Sequence, residues 1–215
     1  MPTRREEVVF GGTFDPPHLG HLAVIKELRR ELQLPLTVIP NGIPPHRTRP
    51  VAGPFDRLRM LRLCLEELGD PKVTISDREV RRPGPSYTAD TLSEMVTEDP
   101  GRELLLALGA DAASRISGWE RPELILRSAR LVVFDRLGTS DRGEDVIERL
   151  GLLGWRVEGA RVLPISAPDV EASQVRLRLS QGDPCPEWLS PAVALDIAAW
   201  GLYGWPRGRR EAGMG

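Results

Sequence analysis

The sequence predicts an α/β protein with a Rossmann-like, doubly wound, mostly parallel sheet and helices on both of its faces. Three observations predict it. Short apolar runs alternate with amphipathic helical stretches along most of the chain. The first apolar run stops at a glycine pair that stands just before a helix start. A length of 215 residues with 40% hydrophobic and 28% charged residues suits one layered core.

The elements follow in order. Val8, Val9 and Phe10 form a short apolar run that reads as a buried strand. From His21 onward, Leu22, Ile25, Leu28 and Leu32 recur at spacings of three and four, so a helix runs until shortly before Pro35. Leu36 to Ile39 is a second strand, which completes a βαβ unit and implies a parallel pair. The proline-rich stretch from Pro40 to Pro54 is a long loop of the kind that is often functional. Phe55 to Leu68 is helical, with Leu58, Leu61, Leu65 and Leu68 on one face. Val73 to Ile75 is a strand, Arg81 to Pro85 a turn-rich connection, and Tyr87 to Val96 a helix. Leu104 to Leu108 reads as a buried strand ending at Gly109. A helix over Glu120 to Arg127, a strand over Leu131 to Phe134 and a helix over Glu144 to Leu152 continue the alternation. Val162–Leu163 is a short strand, Gln174 to Leu179 a short helix, and Pro191 to Trp200 a final helix. Residues 1–204 are expected to form a single domain with a small C-terminal helical part. The glycine- and arginine-rich residues 205–215 are expected to be a disordered tail.

Charge and cysteine content narrow the function classes. A net charge of −2 gives no global basic field that would recruit nucleic acid. No stretch approaches a membrane span, and the charged N-terminus is no signal peptide, so neither a nucleic-acid nor a membrane partner is expected. Two cysteines make neither a disulfide framework nor a zinc cluster, which suggests reduced thiols in a cytoplasmic protein. Lys26 and Lys72 are the only lysines among 29 basic residues, a bias that still leaves arginine forks available for phosphate.

The chemistry concentrates in Gly11-Gly12-Thr13-Phe14-Asp15-Pro16-Pro17-His18-Leu19-Gly20-His21. A glycine pair at the end of a strand lets the backbone turn tightly and lets N–H groups approach a phosphate. The helix that follows offers unpaired N–H groups and the positive end of its dipole, and Gly20 leaves room for a ligand near that end. His18 and His21 stand three residues apart, so both imidazoles can face one ligand and stabilise charge developing on phosphate oxygens. His46 is the only other histidine. There is no Gly-x-Gly-x-x-Gly and no Walker lysine. The His-x-x-His pair is at most half a metal site, since no cysteine or carboxylate cluster completes it, and no protein-held metal is expected.

This string resembles the His-x-Gly-His signature of the nucleotidyltransferase superfamily, and most closely that of the bacterial nicotinate-nucleotide adenylyltransferases. Further similarity lies in Pro40-Asn41, Ile43-Pro44-Pro45-His46-Arg47, Gly84-Pro85-Ser86-Tyr87-Thr88-Ala89-Asp90-Thr91-Leu92, Leu108-Gly109-Ala110-Asp111, Trp119 and Gly201-Leu202-Tyr203, so it covers nearly the whole chain. The resemblance implies transfer of AMP from ATP to nicotinate mononucleotide, giving deamido-NAD and pyrophosphate, with Mg²⁺ accompanying ATP. It implies that Gly11, Gly12, Thr13 and Phe14 cradle phosphates, that His18 and His21 meet the triphosphate, and that Asp111 reaches the adenosine ribose. A helix N-cap is an almost equally good reading of Asp111. Tyr87, Thr88 and Trp119 would enclose the pyridine ring, although Trp119 also reads as an ordinary packed aromatic. Asn41, His46 and Arg47 would lie over the substrates. Arg136 would meet a phosphate, although a surface arginine is the stronger reading by residue type alone. ATP and nicotinate mononucleotide are the implied small-molecule partners, and the reading is compatible with a homo-oligomer.

Two departures from the family pattern stand out. The late phosphate motif usually carries hydroxyls where this chain has Val170-Glu171-Ala172-Ser173-Gln174-Val175-Arg176. Ser173 would cap the helix and Arg176 would remain on ATP, while Glu171 should point away or bind a cation. Glu120 stands where a tyrosine usually follows the tryptophan. Rival readings are a related adenylyltransferase with another phosphorylated acceptor, such as nicotinamide mononucleotide or phosphopantetheine, and a non-catalytic nucleotide-binding regulator. A metal-handling role for the histidines is a distant third.

Overall fold

The structure, a computed structural model, describes residues 5–45, 49–135, 142–165, 167–168 and 170–206. In chain order its elements are β1 (Arg5–Gly12), α1 (Leu19–Leu32), β2 (Leu36–Pro40), α2 (Pro54–Leu68), β3 (Val73–Ile75), α3 (Arg78–Arg81), α4 (Thr88–Glu98) and β4 (Arg102–Gly109). There follow α5 (Ala110–Ala113), α6 (Pro122–Ser128), β5 (Ala129–Asp135), α7 (Gly143–Leu152), β6 (Arg161–Pro164), α8 (Ala172–Ser180) and α9 (Pro191–Trp200). The strands form one six-stranded sheet in the order β3-β2-β1-β4-β5-β6. Every paired neighbour runs parallel. This is a Rossmann-like arrangement, and the strand order reverses between β1 and β4.

Alternation along each strand sorts the core into two layers. Val8 and Phe10 of β1 and Leu105 and Ala107 of β4 point to the face covered by Val24, Ile25 and Leu28 of α1 and Leu61 of α2. Val9, Leu104, Leu106 and Leu108 point to the opposite face, against Leu92 and Met95 of α4, Ile125 of α6 and Val146 of α7. A third cluster joins Leu22, Met60 and Cys64 to Val175, Leu179, Val193, Ile197 and Tyr203, and so seats α8 and α9 on α1 and α2.

The periodicity places most elements within one to three residues of their observed ends, and α9 at its observed bounds. α9 starts where Ser190 accepts from the Val193 N–H and Pro191 opens the helix, and it stops at Gly201 in the left-handed region. Three local differences stand out. The connection expected from Arg81 begins a helical turn earlier as α3, closed by Arg81 N–H to Asp77 and Arg82 N–H to Arg78. Directly after β4 the chain makes the single turn α5 and then a 3₁₀ turn over Ile116–Gly118, both too short for a periodic pattern to reveal. The helix expected from Glu120 begins at Pro122, where proline at the first helical position sets the start. Trp205, at the edge of the expected tail, packs against the C-terminal cluster, and residues 207–215 lie outside the described ones.

Candidate functional site

Ligands of doubly wound sheets sit beyond the carboxyl ends of the strands at the reversal of strand order, here the ends of β1 and β4. Gly11 and Gly12 are still paired with Ile39 and Pro40, so they close β1 rather than follow it. Gly11 is exposed, and a Cβ there would meet only the Ile39 carbonyl oxygen at 3.9 Å, which leaves that backbone approachable. Gly12 has a different reason. A Cβ there would fall 2.8 Å from the ring of Phe14, so glycine lets that ring fold back beneath the strand end. Phe14 takes the left-handed conformation, with φ 53°. Its ring is buried edge-on against Phe10 and His21. The side chain of Phe14 therefore anchors the turn from below, and only its backbone is placed to approach a phosphate.

Beyond Asp15, Pro16 and Pro17 the chain enters α1 with His18 as its N-cap residue. The backbone N–H of His18 donates to Nδ1 of His21 at 3.2 Å. The two rings lie 3.7 Å apart between centroids, tilted by 34°. His18 is buried and His21 half-buried. A neutral His21 that accepts at Nδ1 carries its proton on Nε2, so that edge is a donor. The free helix-end donors expected from the sequence are largely spent. His18 N–H bonds to His21, Leu19 N–H to the Trp188 carbonyl and His21 N–H to the His18 carbonyl. Gly20 also serves packing rather than open space: a Cβ there would sit 3.0 Å from Nδ1 of His18 and 3.2 Å from the Pro168 carbonyl.

Across the strand reversal, Asp111 is the second residue of α5, whose N-cap is Gly109. The helix-cap reading of Asp111 is thereby removed. Its half-buried carboxylate lies 3.4 Å from the Arg115 guanidinium, at the carboxyl end of β4 and beside that of β1. Tyr87 and Thr88 start α4, and Trp119 closes the 3₁₀ turn with its ring partly buried against the core. The ion pair from Arg121 to Asp90, 2.7 Å, ties the tryptophan segment to the first turn of α4, so the three residues expected at the pyridine ring lie on adjoining segments. Glu120 is exposed and lies 3.7 Å from Arg121.

The other expected contacts divide. Asn41 does not hang over the sheet as a free contact. Its amide donates to the Thr13 hydroxyl at 3.1 Å and accepts from Arg57 at 3.2 Å, so it joins the ends of β1 and β2. Ser173 does not cap α8, because the N-cap position is Glu171. The Ser173 hydroxyl instead donates to the exposed Glu171 carboxylate at 3.1 Å. Arg176 reaches the glycine–histidine segment itself, donating to the Asp15 carbonyl at 2.8 Å. His46, Arg47 and Arg136 lie outside the described residues. Among the described residues no group of three or more histidine, cysteine or carboxylate side chains is placed to hold a metal ion.

Residues that the sequence reading gave no role also reach this region. Arg57 is buried beneath the glycine–histidine segment, Asp15 is a buried member of that segment, and Tyr203 reaches Asp15 from the C-terminal part. One signal for Arg57 was present. It stands in line with Leu61, Cys64 and Leu68 on the apolar stripe of α2, where a charge implies a buried network.

Known proteins are similar to this chain over most of its length. The cytidylyltransferase-like family model matches residues 9–176. The chain is 35% identical over 210 residues to a probable nicotinate-nucleotide adenylyltransferase of Halorhodospira halophila, covering 93% of this chain and 95% of that one. It is 36% identical over 197 residues to the probable nicotinate-nucleotide adenylyltransferase of Thermomicrobium roseum, covering 91% and 90%. Among solved structures, the Plasmodium falciparum nicotinic acid mononucleotide adenylyltransferase complexed with NaAD superposes with a TM-score of 0.75 at 16% identity, over 94% of this chain and 98% of that one. At that identity the likeness is one of fold.

Proposed function

The chain belongs to the nicotinate-nucleotide adenylyltransferase family within the cytidylyltransferase-like group, and from that membership we propose how its own residues transfer AMP from ATP to nicotinate mononucleotide. The products are deamido-NAD and pyrophosphate. The observation that carries the reading is the pair of imidazoles packed against each other beside the exposed end of β1, at the reversal of strand order.

The 5′-phosphate of the mononucleotide attacks the α-phosphorus of ATP. A new P–O bond forms as the bond to the α,β-bridging oxygen breaks, and pyrophosphate leaves with that oxygen. A phosphate monoester is already ionised at neutral pH, so the protein supplies alignment and charge stabilisation rather than a nucleophile. His18 and His21 stand where the triphosphate bends past β1, with the Nε2–H of His21 as a donor to the oxygens that gain charge. Gly11 admits phosphate to the strand end, Asp111 takes the ribose, and Tyr87, Thr88 and Trp119 take the pyridine ring. Mg²⁺ enters as part of the Mg–ATP substrate, held by phosphate oxygens and water. Both cysteines are free, which fits a cytoplasmic site of action, and no helix among the described residues is long and apolar enough to cross a membrane.

The deciding assay supplies Mg–ATP with nicotinate mononucleotide, nicotinamide mononucleotide or phosphopantetheine and follows pyrophosphate and dinucleotide together. Deamido-NAD formed with the highest kcat/KM of the panel is the expected result. ATP binding without turnover on any acceptor would overturn the assignment.

A further inference from the structure

Beneath the glycine–histidine segment lies a buried polar cluster that the reaction chemistry does not use. Arg57 is fully buried, an unusual place for a guanidinium, which keeps its charge and must have its donors satisfied. It donates through Nη1 to the Thr13 carbonyl at 2.6 Å and to Oδ1 of Asn41 at 3.2 Å. It also donates through Nη2 to the Gly42 carbonyl at 2.7 Å and through Nε to the Ala52 carbonyl at 3.3 Å. One planar group thus holds the turn after β1 and both ends of the connection between β2 and α2.

Asp15 completes the cluster. Its Oδ2 accepts the Val51 N–H at 2.9 Å. Its Oδ1 accepts the Ala52 N–H at 3.0 Å and the Tyr203 hydroxyl at 3.0 Å. Both oxygens face inward with 5% of the residue exposed, so this carboxylate has no face left for substrate or Mg²⁺. The same residue's carbonyl accepts from Arg176. The turn that leads to His18 is therefore held from three directions by segments far apart in the chain. The outer side is tied as well: Gly42 N–H donates to the Ser86 hydroxyl at 2.9 Å, and Ser86 N–H to the Ile43 carbonyl at 2.8 Å. That second tie runs directly into Tyr87.

We propose that Arg57, Asp15 and Tyr203 form a buried clamp that sets the spacing between the paired histidines and the two ends of the β2–α2 connection, around residues 41–43 and 51–53. Arg57 is then a positioning residue for adenylyl transfer, acting through Thr13, Asn41 and Ala52 without touching substrate. The kinetic part of this inference rests on the reaction proposed above. The structural part does not.

Three variants and two readouts test it. Arg57→Met keeps the length of the side chain and loses every donor, while Arg57→Lys keeps the charge without the planar fork. At a temperature where circular dichroism shows each variant folded, Arg57→Met is expected to lower kcat about 100-fold, the scale of an ångström-level misplacement, with Arg57→Lys recovering part of the loss. Wild-type kcat in folded Arg57→Met overturns the proposal. Should Arg57→Met fail to fold, Tyr203→Phe carries the test, because it removes a single donor to Asp15 at the rim of the cluster. Amide hydrogen exchange in Tyr203→Phe is expected to speed up at Val51 and Ala52 and to stay unchanged at Leu106 in β4, with a several-fold fall in kcat. Unchanged exchange at Val51 and Ala52, or faster exchange with wild-type kcat, overturns it. The exchange readout needs no turnover, so a wild-type protein inactive on nicotinate mononucleotide would refute the proposed reaction and still leave the clamp decided.

Discussion

The backbone N–H of His18 donates to Nδ1 of His21 across one helical turn, at 3.2 Å. One contact thereby fixes the ring orientation of His21, and a neutral ring that accepts there carries its proton on Nε2. Close packing of the tilted rings, 3.7 Å between centroids, makes them a single unit in which each ring limits the other's rotation.

Replacing either ring by alanine is expected to act on the chemical step. A preorganised donor to a charge that develops during reaction is worth about 2.7–4 kcal/mol, or roughly 10²–10³ in kcat. His18→Ala and His21→Ala should each show this loss with KM for ATP changed only a few-fold, measured at saturating acceptor. Near-normal turnover in His18→Ala would remove the role assigned to the pair.

Gly20→Ala tests the space the pair needs. The added methyl meets Nδ1 of His18 at 3.0 Å on one side and the Pro168 backbone carbonyl at 3.2 Å on the other, so neither neighbour gives way easily. Overpacking of this kind costs about 1–3 kcal/mol, more than the helix-propensity gain of alanine over glycine. Both the melting temperature and kcat should fall. A variant more stable than wild type would show that the site has slack.

Trp119 is expected to act on one substrate alone. Trp119→Ala should raise KM for nicotinate mononucleotide about tenfold, the scale of lost aromatic stacking and burial, and Trp119→Phe should restore most of it. KM for ATP should stay within about twofold in both variants, since the tryptophan lies on the segment tied to α4. Equal changes in both KM values would assign Trp119 to general packing.

Cys64 gives a pH prediction with a definite sign. Burial pushes its thiol from 9.0 up to about 12. The unfolded chain therefore loses the proton first, and stability conferred below pH 9 declines as pH rises from about 9 to 12. Burial and the nearby Asp15 carboxylate raise the Tyr203 hydroxyl in the same direction. Thermal melts at stepped pH should show a shallower alkaline decline in Cys64→Ala than in wild type. Native Cys64 should also resist alkylation at pH 8, and fast modification of the folded protein would contradict its burial.

What the sequence determined by itself was whatever local patterns carry. Leu22, Ile25 and Leu28 announced α1, the stretch from Pro191 to Trp200 read as α9, and the Gly11–His21 string marked the end of β1 as the reactive edge. Periodicity, proline and glycine act over a few residues, so one chain displays them openly. Tertiary structure alone decided which polar groups are committed to one another. Tyr203 meets Asp15 across 188 residues, Asn41 spends its amide between Thr13 and Arg57, and Gly20 makes room for an imidazole rather than for a ligand. Ser173 yields the N-cap of α8 to Glu171, and Gly109 rather than Asp111 caps α5. The physical reason is the cost of burying charge: a guanidinium or carboxylate can be buried only where distant segments supply its partners, and those partners exist only once the chain has folded.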